Sequence, residues 1–282
     1  MATKRDERWL LGLLGGPRVY YSPSPSMHRS ALNCCALEGE YLALEVNPEH
    51  LPLAMAELKH AGYRGLNVTT PHKISVIEFL VGLSDEAKAI GSVNTLIQAD
   101  GGFYGENTDA RGFHGAYLAD LKDPGLTRAL VLGSGGASRA VIVALRRAGI
   151  EPWLSARDPY KAGALGREFG LRVLAWDGLA GGGPFDLLVN ATSCSSAADF
   201  SPTPPEINLA QGARVIDINY GRVSNLFEDL AAKSGGDFRD GLAMLAHQAR
   251  LSFWHWTSQD PGLGPFQASL ENYLRESRKS GH

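Results

Sequence analysis

Ala129-Leu130-Val131-Leu132-Gly133-Ser134-Gly135-Gly136-Ala137-Ser138-Arg139 is the stretch on which the architecture turns. Four apolar residues run into a glycine-rich turn, and 140–148 continues with the composition of a helix. That order describes a buried strand, a tight turn and a helix whose first N–H groups have no partner inside the helix. Such groups, facing a turn with little side chain, form a cradle for phosphate. The spacing is Gly-x-Gly-Gly-x-x-Arg rather than the common Gly-x-Gly-x-x-Gly, so the flanking strand and helix carry the reading. A second strand at 152–155 follows and ends in Ala156-Arg157. An acidic residue at that end bonds a ribose 2′-hydroxyl, whereas an arginine accommodates a 2′-phosphate. Arg157 and the nearby Lys161 therefore favour NADP, and Asp158 pulls toward NAD.

Beyond this unit, strands are expected at 185–190, leading to Ala191-Thr192-Ser193, and at 214–218, leading to Asn219-Tyr220. The segment 197–205 reads as a loop on its proline and serine content. A helix is expected at 226–234, a short strand or turn at 237–240, and a further helix from Met244 through Trp256. In that last helix Leu245, Ala249 and Phe253 share a buried face, which leaves Gln248 near its edge.

The same alternation fills the N-terminal third. Residues 9–14 read as a first strand; the apolar run is short and Asp6 and Glu7 interrupt the basic residues before it, unlike a secretory signal. Tyr20-Tyr21-Ser22-Pro23-Ser24-Pro25-Ser26 follows. Its prolines are expected to hold the backbone extended, setting the serines on a stiff loop ahead of a helix at 27–37. Hydroxyls at a strand-to-helix junction suit capture of a carboxylate, and ordinary capping accounts for one of them. A strand at 41–46 and a helix at 48–60 come next. Leu66-Asn67-Val68-Thr69-Thr70-Pro71-His72-Lys73 then reads as a strand leaving a core, with a helix starting near Pro71. Lys73 would sit early in that helix, against the usual dipole preference. A capped helix at 84–90, a strand at 91–97 carrying Asn94-Thr95, a Gly101-Gly102 turn, a strand at 103–109 and a bridging helix at 112–121 complete this part. Polar residues recur at strand ends, the mark of an α/β sheet with its site there.

At 282 residues, two domains are the default. A net charge of -3 provides no electrostatic footprint for nucleic acid or an anionic membrane. No apolar run approaches the roughly 20 residues that span a bilayer. Three cysteines form no disulfide framework or zinc spacing, and eight histidines show no ligand pattern. No metal site is expected; a reducing, cytoplasmic setting is. Cys34 and Cys35 are read as buried packing residues.

Six motifs in order resemble the shikimate dehydrogenase family: Ser22-Pro23-Ser24-Pro25, Asn67 to Lys73, Val93-Asn94-Thr95, Asn107-Thr108-Asp109, Gly133 to Ala137, and Gly241-Leu242-Ala243-Met244-Leu245-Ala246-His247-Gln248. The likeness covers essentially the whole chain. It implies two α/β domains, a substrate-binding and catalytic domain at 1–110 completed by C-terminal helices at 241–282, and a Rossmann-like NADP-binding domain at 111–240. It implies a catalytic pair, Lys73 and Asp109, and substrate contacts from Ser22, Ser24, Asn67, Thr69, Asn94, Tyr220 and Gln248. Cofactor contacts carry over to Gly133, Ser134, Gly135, Gly136, Ala137, Ala156, Arg157, Lys161, Ile218 and Gly241, with Asp85 a weaker one. A homodimer is compatible with the resemblance.

The implied reaction is the reversible reduction of 3-dehydroshikimate to shikimate with NADPH. Hydride addition to a ring ketone leaves negative charge on oxygen, which an ammonium stabilises and protonates. Ser, Thr, Asn and Gln suit a substrate carrying several hydroxyls. The chain departs from the family pattern in four places. Asp158 stands where threonine is usual, Thr192-Ser193-Cys194-Ser195-Ser196 lacks a glycine, Arg222 replaces proline, and Ser258 replaces glycine. Asp158 keeps a quinate- or NAD-preferring relative in view, and a non-catalytic ligand sensor on the same fold is the alternative of another class.

Overall fold

The computed structural model describes residues 8–119, 125–200, 205–221 and 224–280. They fall into two compact units, one made of Met1–Gly112 with Ala246–His282 and the other of Phe113–Leu245. The first is thus assembled from both ends of the chain and the second from its continuous middle.

In the first unit, β1 (Trp9–Gly15) leads through a 3₁₀ turn at Pro17–Tyr21 into α1 (Ser24–Cys34), β2 (Gly39–Glu45), α2 (Leu51–Leu58) and β3 (Gly65–Val68). β4 (Gly82–Leu83), α3 (Asp85–Ile90), β5 (Thr95–Ala99), β6 (Gly102–Glu106) and α4 (Asp109–Phe113) follow. The strands form one sheet in the order β2-β1-β3-β5-β6-β4. β1 runs parallel to β2 and β3, because α1 and α2 are the crossovers such pairing needs. β5 is antiparallel to both β3 and β6. Leu14, Leu66, Val68, Leu96 and Phe103 form its core with Leu51, Met55, Val76 and Ala87 from the flanking segments.

The second unit begins with β7 (Arg128–Leu132), α5 (Gly136–Arg147), β8 (Glu151–Ser155), α6 (Pro159–Phe169) and β9 (Arg172–Val173). It continues through β10 (Phe185–Asn190), β11 (Leu209–Asp217), α7 (Leu226–Ser234) and β12 (Phe238–Arg239). All pairings are parallel and the order is β12-β11-β10-β7-β8-β9. Numbered from β7, this is the doubly wound dinucleotide-binding order, with the direction of winding reversing between β7 and β10. β7 and β10 are almost wholly buried, as strands covered on both faces must be.

The chain then returns to the first unit with α8 (Leu242–Thr257) and α9 (Gly264–Ser280). Trp256 Nε1 donates to Leu96 O at 2.9 Å, and a Cβ on Gly65 would lie 2.2 Å from that nitrogen. Glycine in β3 is therefore what lets α8 seat on the sheet. α9 is tied to the region of α1 by Ser269 Oγ on Ser26 Oγ at 3.0 Å and by Tyr273 Oη on Tyr21 O at 2.8 Å.

Four local expectations are corrected. The prolines at 23 and 25 do not suppress structure, since α1 starts at Ser24 with Pro25 in its first turn, where a missing N–H costs nothing. No helix starts at Pro71; the Thr70–Pro71 peptide is cis and the nearest helical turn is a 3₁₀ segment at Ser75–Phe79. His72 is fully buried with its Nε2 2.6 Å from Val46 O, which draws the chain inward at the point where a helix would have turned it outward. Cys34 is exposed and Cys35 partly so, because both sit at the end of α1, while Cys194 is buried. Gln248 is buried, not on an open helix edge.

Two departures from the family pattern acquire a physical reading. Ser258 has φ +57°, the left-handed region that favours glycine, and its N–H bonds Trp254 O at 2.8 Å to close α8. The segment around Thr192–Ser196 needs no glycine, because no residue in it takes a positive φ. Thr192 N and Oγ1 bond Asn190 Oδ1, and Asp199 Oδ2 accepts from the N–H groups of Ser195 and Ser196. Arg222 and part of the expected 197–205 loop lie outside the described residues.

Candidate active site

The pairing pattern of the first sheet delivers the polar motifs to one edge. β1 and β3 are parallel, so Ser22 and Ser24 follow the same end of the sheet as Thr69 and Lys73. β5 is antiparallel to β3, so Asn94 at its start meets the end of β3, and β6 returns Asn107-Thr108-Asp109 to that edge. Backbone bonds stitch the loops together: Thr69 N to Leu14 O at 2.9 Å, Gly16 N to Thr70 O at 3.0 Å and Val93 N to Lys73 O at 2.8 Å.

At the centre, Lys73 Nζ lies 2.6 Å from Asp109 Oδ2. The side chains are 17% and 4% exposed, so the aspartate is enclosed and the ammonium keeps an accessible side. Asp109 Oδ1 accepts from Asn94 Nδ2 at 2.8 Å, and Asp109 N donates to Asn107 Oδ1 at 2.9 Å. The Asn94 amide also reaches Thr108 Oγ1 at 2.9 Å and Gln248 Oε1 at 3.3 Å, while its oxygen accepts from Thr108 N at 2.8 Å. That last bond fixes which way the amide faces. A carboxylate held by a cation on one oxygen and an amide on the other is locked in orientation. A buried ion pair contributes little net stability, so its presence at a strand-end cluster points to chemistry.

The other expected residues divide by environment. Ser22 Oγ donates to Ser24 Oγ at 3.0 Å and accepts from Ser24 N at 3.2 Å, so the two hydroxyls are a coupled pair beside the start of α1. Thr69 is half-buried, and a Cβ on Gly15 would lie 2.4 Å from its methyl carbon. Asn67 stands behind the cluster with its amide engaged inward: Oδ1 accepts from Tyr41 Oη at 2.8 Å, and Nδ2 donates to Asn94 O at 3.1 Å and Ser252 Oγ at 3.0 Å. Asp85 is exposed at the start of α3, where its carboxylate lies 3.3 Å from Lys88 Nζ. Tyr220 belongs to the second unit, half-buried after the end of β11.

Sequence reasoning misses several members of the network. Ser252 lies one helical turn after Gln248 and is fully buried against Thr95 and Thr108. The spacing Gln248, Ser252, Trp256, one polar-capable group per turn of α8, is the signal that could have found it. Glu106, just before the Asn-Thr-Asp motif, accepts from Ser84 Oγ at 2.8 Å and Asn107 N at 2.7 Å. His255 Nε2 lies 3.7 Å from its other oxygen. Burial pushes the His255 imidazole down, Glu106 pulls it back up and Arg111 adds to the lowering.

In the second unit, the turn after β7 fits a dinucleotide phosphate. Gly133 has φ +111° and a Cβ there would lie 2.8 Å from Ala191 O, so only glycine permits the turn. Gly135 precedes the first turn of α5, and a Cβ there would meet no atom within 4 Å. The space in front of the helix N–H groups of Gly136 and Ala137 is thus open on the Gly135 side. Ser134 lies in the same turn. Ala156 is buried at the end of β8, while Arg157 and Lys161 are exposed. Asp158 is the N-cap of α6, its Oδ1 accepting from Tyr160 N at 3.0 Å and Lys161 N at 3.1 Å, with Oδ2 3.7 Å from Lys161 Nζ. Threonine and aspartate are both good N-caps, which accounts for the substitution. Ile218 and Gly241 are brought together: a Cβ on Gly241 would lie 1.9 Å from Ile218 O. Among the described residues no group of His, Cys, Asp and Glu is placed to hold a metal, and no helix is long and apolar enough to cross a membrane.

Comparison with known proteins agrees with both halves. Residues 14–96 match the family model described as the shikimate dehydrogenase substrate binding domain. A shikimate dehydrogenase (NADP(+)) of Thermus thermophilus is 42% identical over 94% of this chain and 97% of its own length. The crystal structure of a Thermus thermophilus shikimate 5-dehydrogenase in complex with NADP(H) and shikimate superposes with TM-score 0.79 at 38% identity, covering 94% of this chain and 99% of that one. A ligand-free 5-ketofructose reductase of a Gluconobacter species superposes with TM-score 0.78 at 27% identity, covering 95% and 99%. The fold alone therefore does not select the substrate, whereas sequence identity over nearly the full length does select the lineage. This chain belongs to the shikimate dehydrogenase family.

Proposed function

We propose that the protein is an NADP-dependent oxidoreductase that reversibly reduces 3-dehydroshikimate to shikimate. The observation that carries this reading is the enclosed pair of Lys73 and Asp109, 2.6 Å apart, with Asn94 on the far carboxylate oxygen. NADPH, when bound, supplies the hydride that the ketone carbon accepts. Lys73 then stabilises the charge developing on the carbonyl oxygen and gives it a proton, leaving CH–OH on the substrate. Asp109 holds the ammonium at that oxygen and serves as a second acceptor for the substrate hydroxyls. In the reverse direction the neutral Lys73 amine takes the hydroxyl proton as the hydride leaves the carbon, and the ammonium so formed releases a proton to solvent.

Ser22 and Ser24 hold the substrate carboxylate; Thr69, Asn94, Gln248 and Tyr220 read its hydroxyls, and Asn67 sets the position of Asn94 from behind. The turn Gly133 to Ala137 would hold the pyrophosphate and Arg157 and Lys161 the 2′-phosphate, with Ala156, Ile218 and Gly241 as further contacts of the dinucleotide. Asp85 serves only as a peripheral contact. Asp158 uses an oxygen on the α6 cap, so its carboxylate does not argue for NAD. The two-segment unit is the substrate and catalytic domain, and the middle unit the cofactor domain. The enzyme works in the cytoplasm, and a homodimer is compatible with the family resemblance.

Steady-state rates with the four pairings of shikimate or quinate and NADP or NAD test the substrate and cofactor; fastest turnover of quinate with NAD would overturn the assignment. Lys73→Ala is expected to lower kcat by about 10²–10⁴-fold with a much smaller change in KM. Retained turnover in that variant would remove Lys73 from the proton transfer.

A further inference from the structure

We infer that Ser252, a residue that touches neither Lys73 nor Asp109, is a positioning residue for their proton transfer. The inference rests on the assignment of that pair above and adds the device that sets its geometry.

Ser252 is fully buried on α8, and its single hydroxyl has four polar neighbours. They are Gln248 O at 3.1 Å, Asn67 Nδ2 at 3.0 Å, Thr95 Oγ1 at 2.8 Å and Thr108 Oγ1 at 3.1 Å. A serine hydroxyl has one proton and two acceptor sites, so the neighbours are ordered by their own chemistry. Gln248 O can only accept, and Asn67 Nδ2 can only donate. Ser252 therefore receives a proton from Asn67, which leaves one acceptor site for Thr108, and its own proton is shared between Gln248 O and the shorter contact to Thr95 Oγ1 at 2.8 Å.

Thr108 has the stronger claim on that site. Its oxygen already accepts from Asn94 Nδ2 at 2.9 Å, so its own proton must leave in another direction. Its other outlet is Asn94 Oδ1 at 3.3 Å, where Thr108 N at 2.8 Å and Thr95 Oγ1 at 2.9 Å already donate. The result is a one-way chain, Asn94 N–H to Thr108 O–H to Ser252 O–H, which passes on to Gln248 C=O or to Thr95 Oγ1, itself a donor to Asn94 Oδ1. Each donor in such a chain strengthens the next. Its head is the amide group whose Nδ2 bonds Asp109 Oδ1. Ser252 thus holds Asn94 in the orientation that keeps a donor on the aspartate. It also anchors the turn of α8 that presents Gln248.

Removing the hydroxyl leaves the Thr108 proton to compete for Asn94 Oδ1 and loosens the amide from Asp109. Ser252→Ala is therefore expected to lower kcat about three- to tenfold across its pH profile, with KM for shikimate changed less than about twofold. Thr108→Val cuts the same chain one link earlier and is expected to lower the profile in the same way. The double variant should lose no more than the larger single effect, since both break one chain. Ser252→Thr, which retains a hydroxyl at that carbon, should restore the profile; if the added methyl unfolds it, the Thr108→Val comparison decides alone.

An unchanged kcat profile in Ser252→Ala, with only a lowered melting temperature, would reduce Ser252 to packing and overturn the inference. Independent, additive losses in the double variant would do the same. Neither result touches the assignment of Lys73, which stands or falls with Lys73→Ala.

Discussion

His28 offers the sharpest quantitative test of how the first unit is held together. It lies on α1 with no exposed surface, its ring stacked on Tyr41 with centroids 4.5 Å apart and planes 5° from parallel. Trp256 at 5.2 Å and Phe266 at 5.7 Å close the cage. Neither ring nitrogen makes a hydrogen bond among the described residues. Burial pushes the imidazole from 6.5 down to about 3, against a weaker upward pull from the Asn67 side chain. The unfolded chain therefore binds a proton between those values that the folded protein refuses, and stability falls as pH drops through that window. Above 6.5 the effect vanishes; below about 3 it is complete. Taking those two values, the difference between pH 7 and pH 4.5 is about 2.5 kcal/mol, with a slope of about 1.4 kcal/mol per pH unit in mid-window. His28→Phe keeps an aromatic ring in the cage and removes the titration. Subtracting its stability curve from that of the wild type cancels the carboxylates common to both. Urea unfolding followed by pulse-labelled hydrogen exchange on peptides from β1 and β3 confines the readout to this unit. A difference that widens on acidification supports a neutral buried imidazole. Parallel curves from pH 7 to about pH 4.5 would mean that His28 charges freely in the folded state, and the reasoning would fail.

Other expectations follow from single features. Ser258→Gly removes an L side chain from a left-handed conformation and should raise stability by about 1 kcal/mol, read as a higher melting temperature with unchanged kcat. Arg157→Ala should raise KM for NADPH by about 10- to 100-fold, the worth of a charge-assisted bond to phosphate, with little change in the slow rate with NADH. Asp158→Ala should cost about 1 kcal/mol through the lost α6 cap, measured by denaturation, and should not convert the enzyme to NAD.

The two units are legible to different depths. In the second, the expected strand at 185–190 and helix at 226–234 coincide with β10 and α7 residue for residue, because apolar runs, a capping Asn225 and a terminal Gly235 bound them locally. The Asn94, Lys73 and Asp109 types are readable as motifs, but their meeting is not a local property. It follows from an antiparallel β5 inserted beside β3, which no periodicity within either strand announces. Amphipathicity puts Gln248 on a helix edge because it sees only the helix; the partner Asn94 is far back in the chain. The absent helix at Pro71 has a similar origin, since the burial of His72 on Val46 O is a tertiary preference overriding a local start signal. Ser252 stays hidden because a serine within a helix is commonplace until the hydroxyls around it are known.

The division of the chain has a consequence for how it matures. The aromatic cage around His28 takes Phe253, Trp256 and Phe266 from the last segment, so residues 8–112 alone leave Tyr41 and His28 without their cover. A ribosome has finished the whole continuous middle unit before it supplies those three rings. The nascent front portion must therefore wait, half-clothed, while its neighbour folds. Removing α8 and α9 would strand that portion in the waiting condition, because the rings that cover His28 are made only after the middle unit.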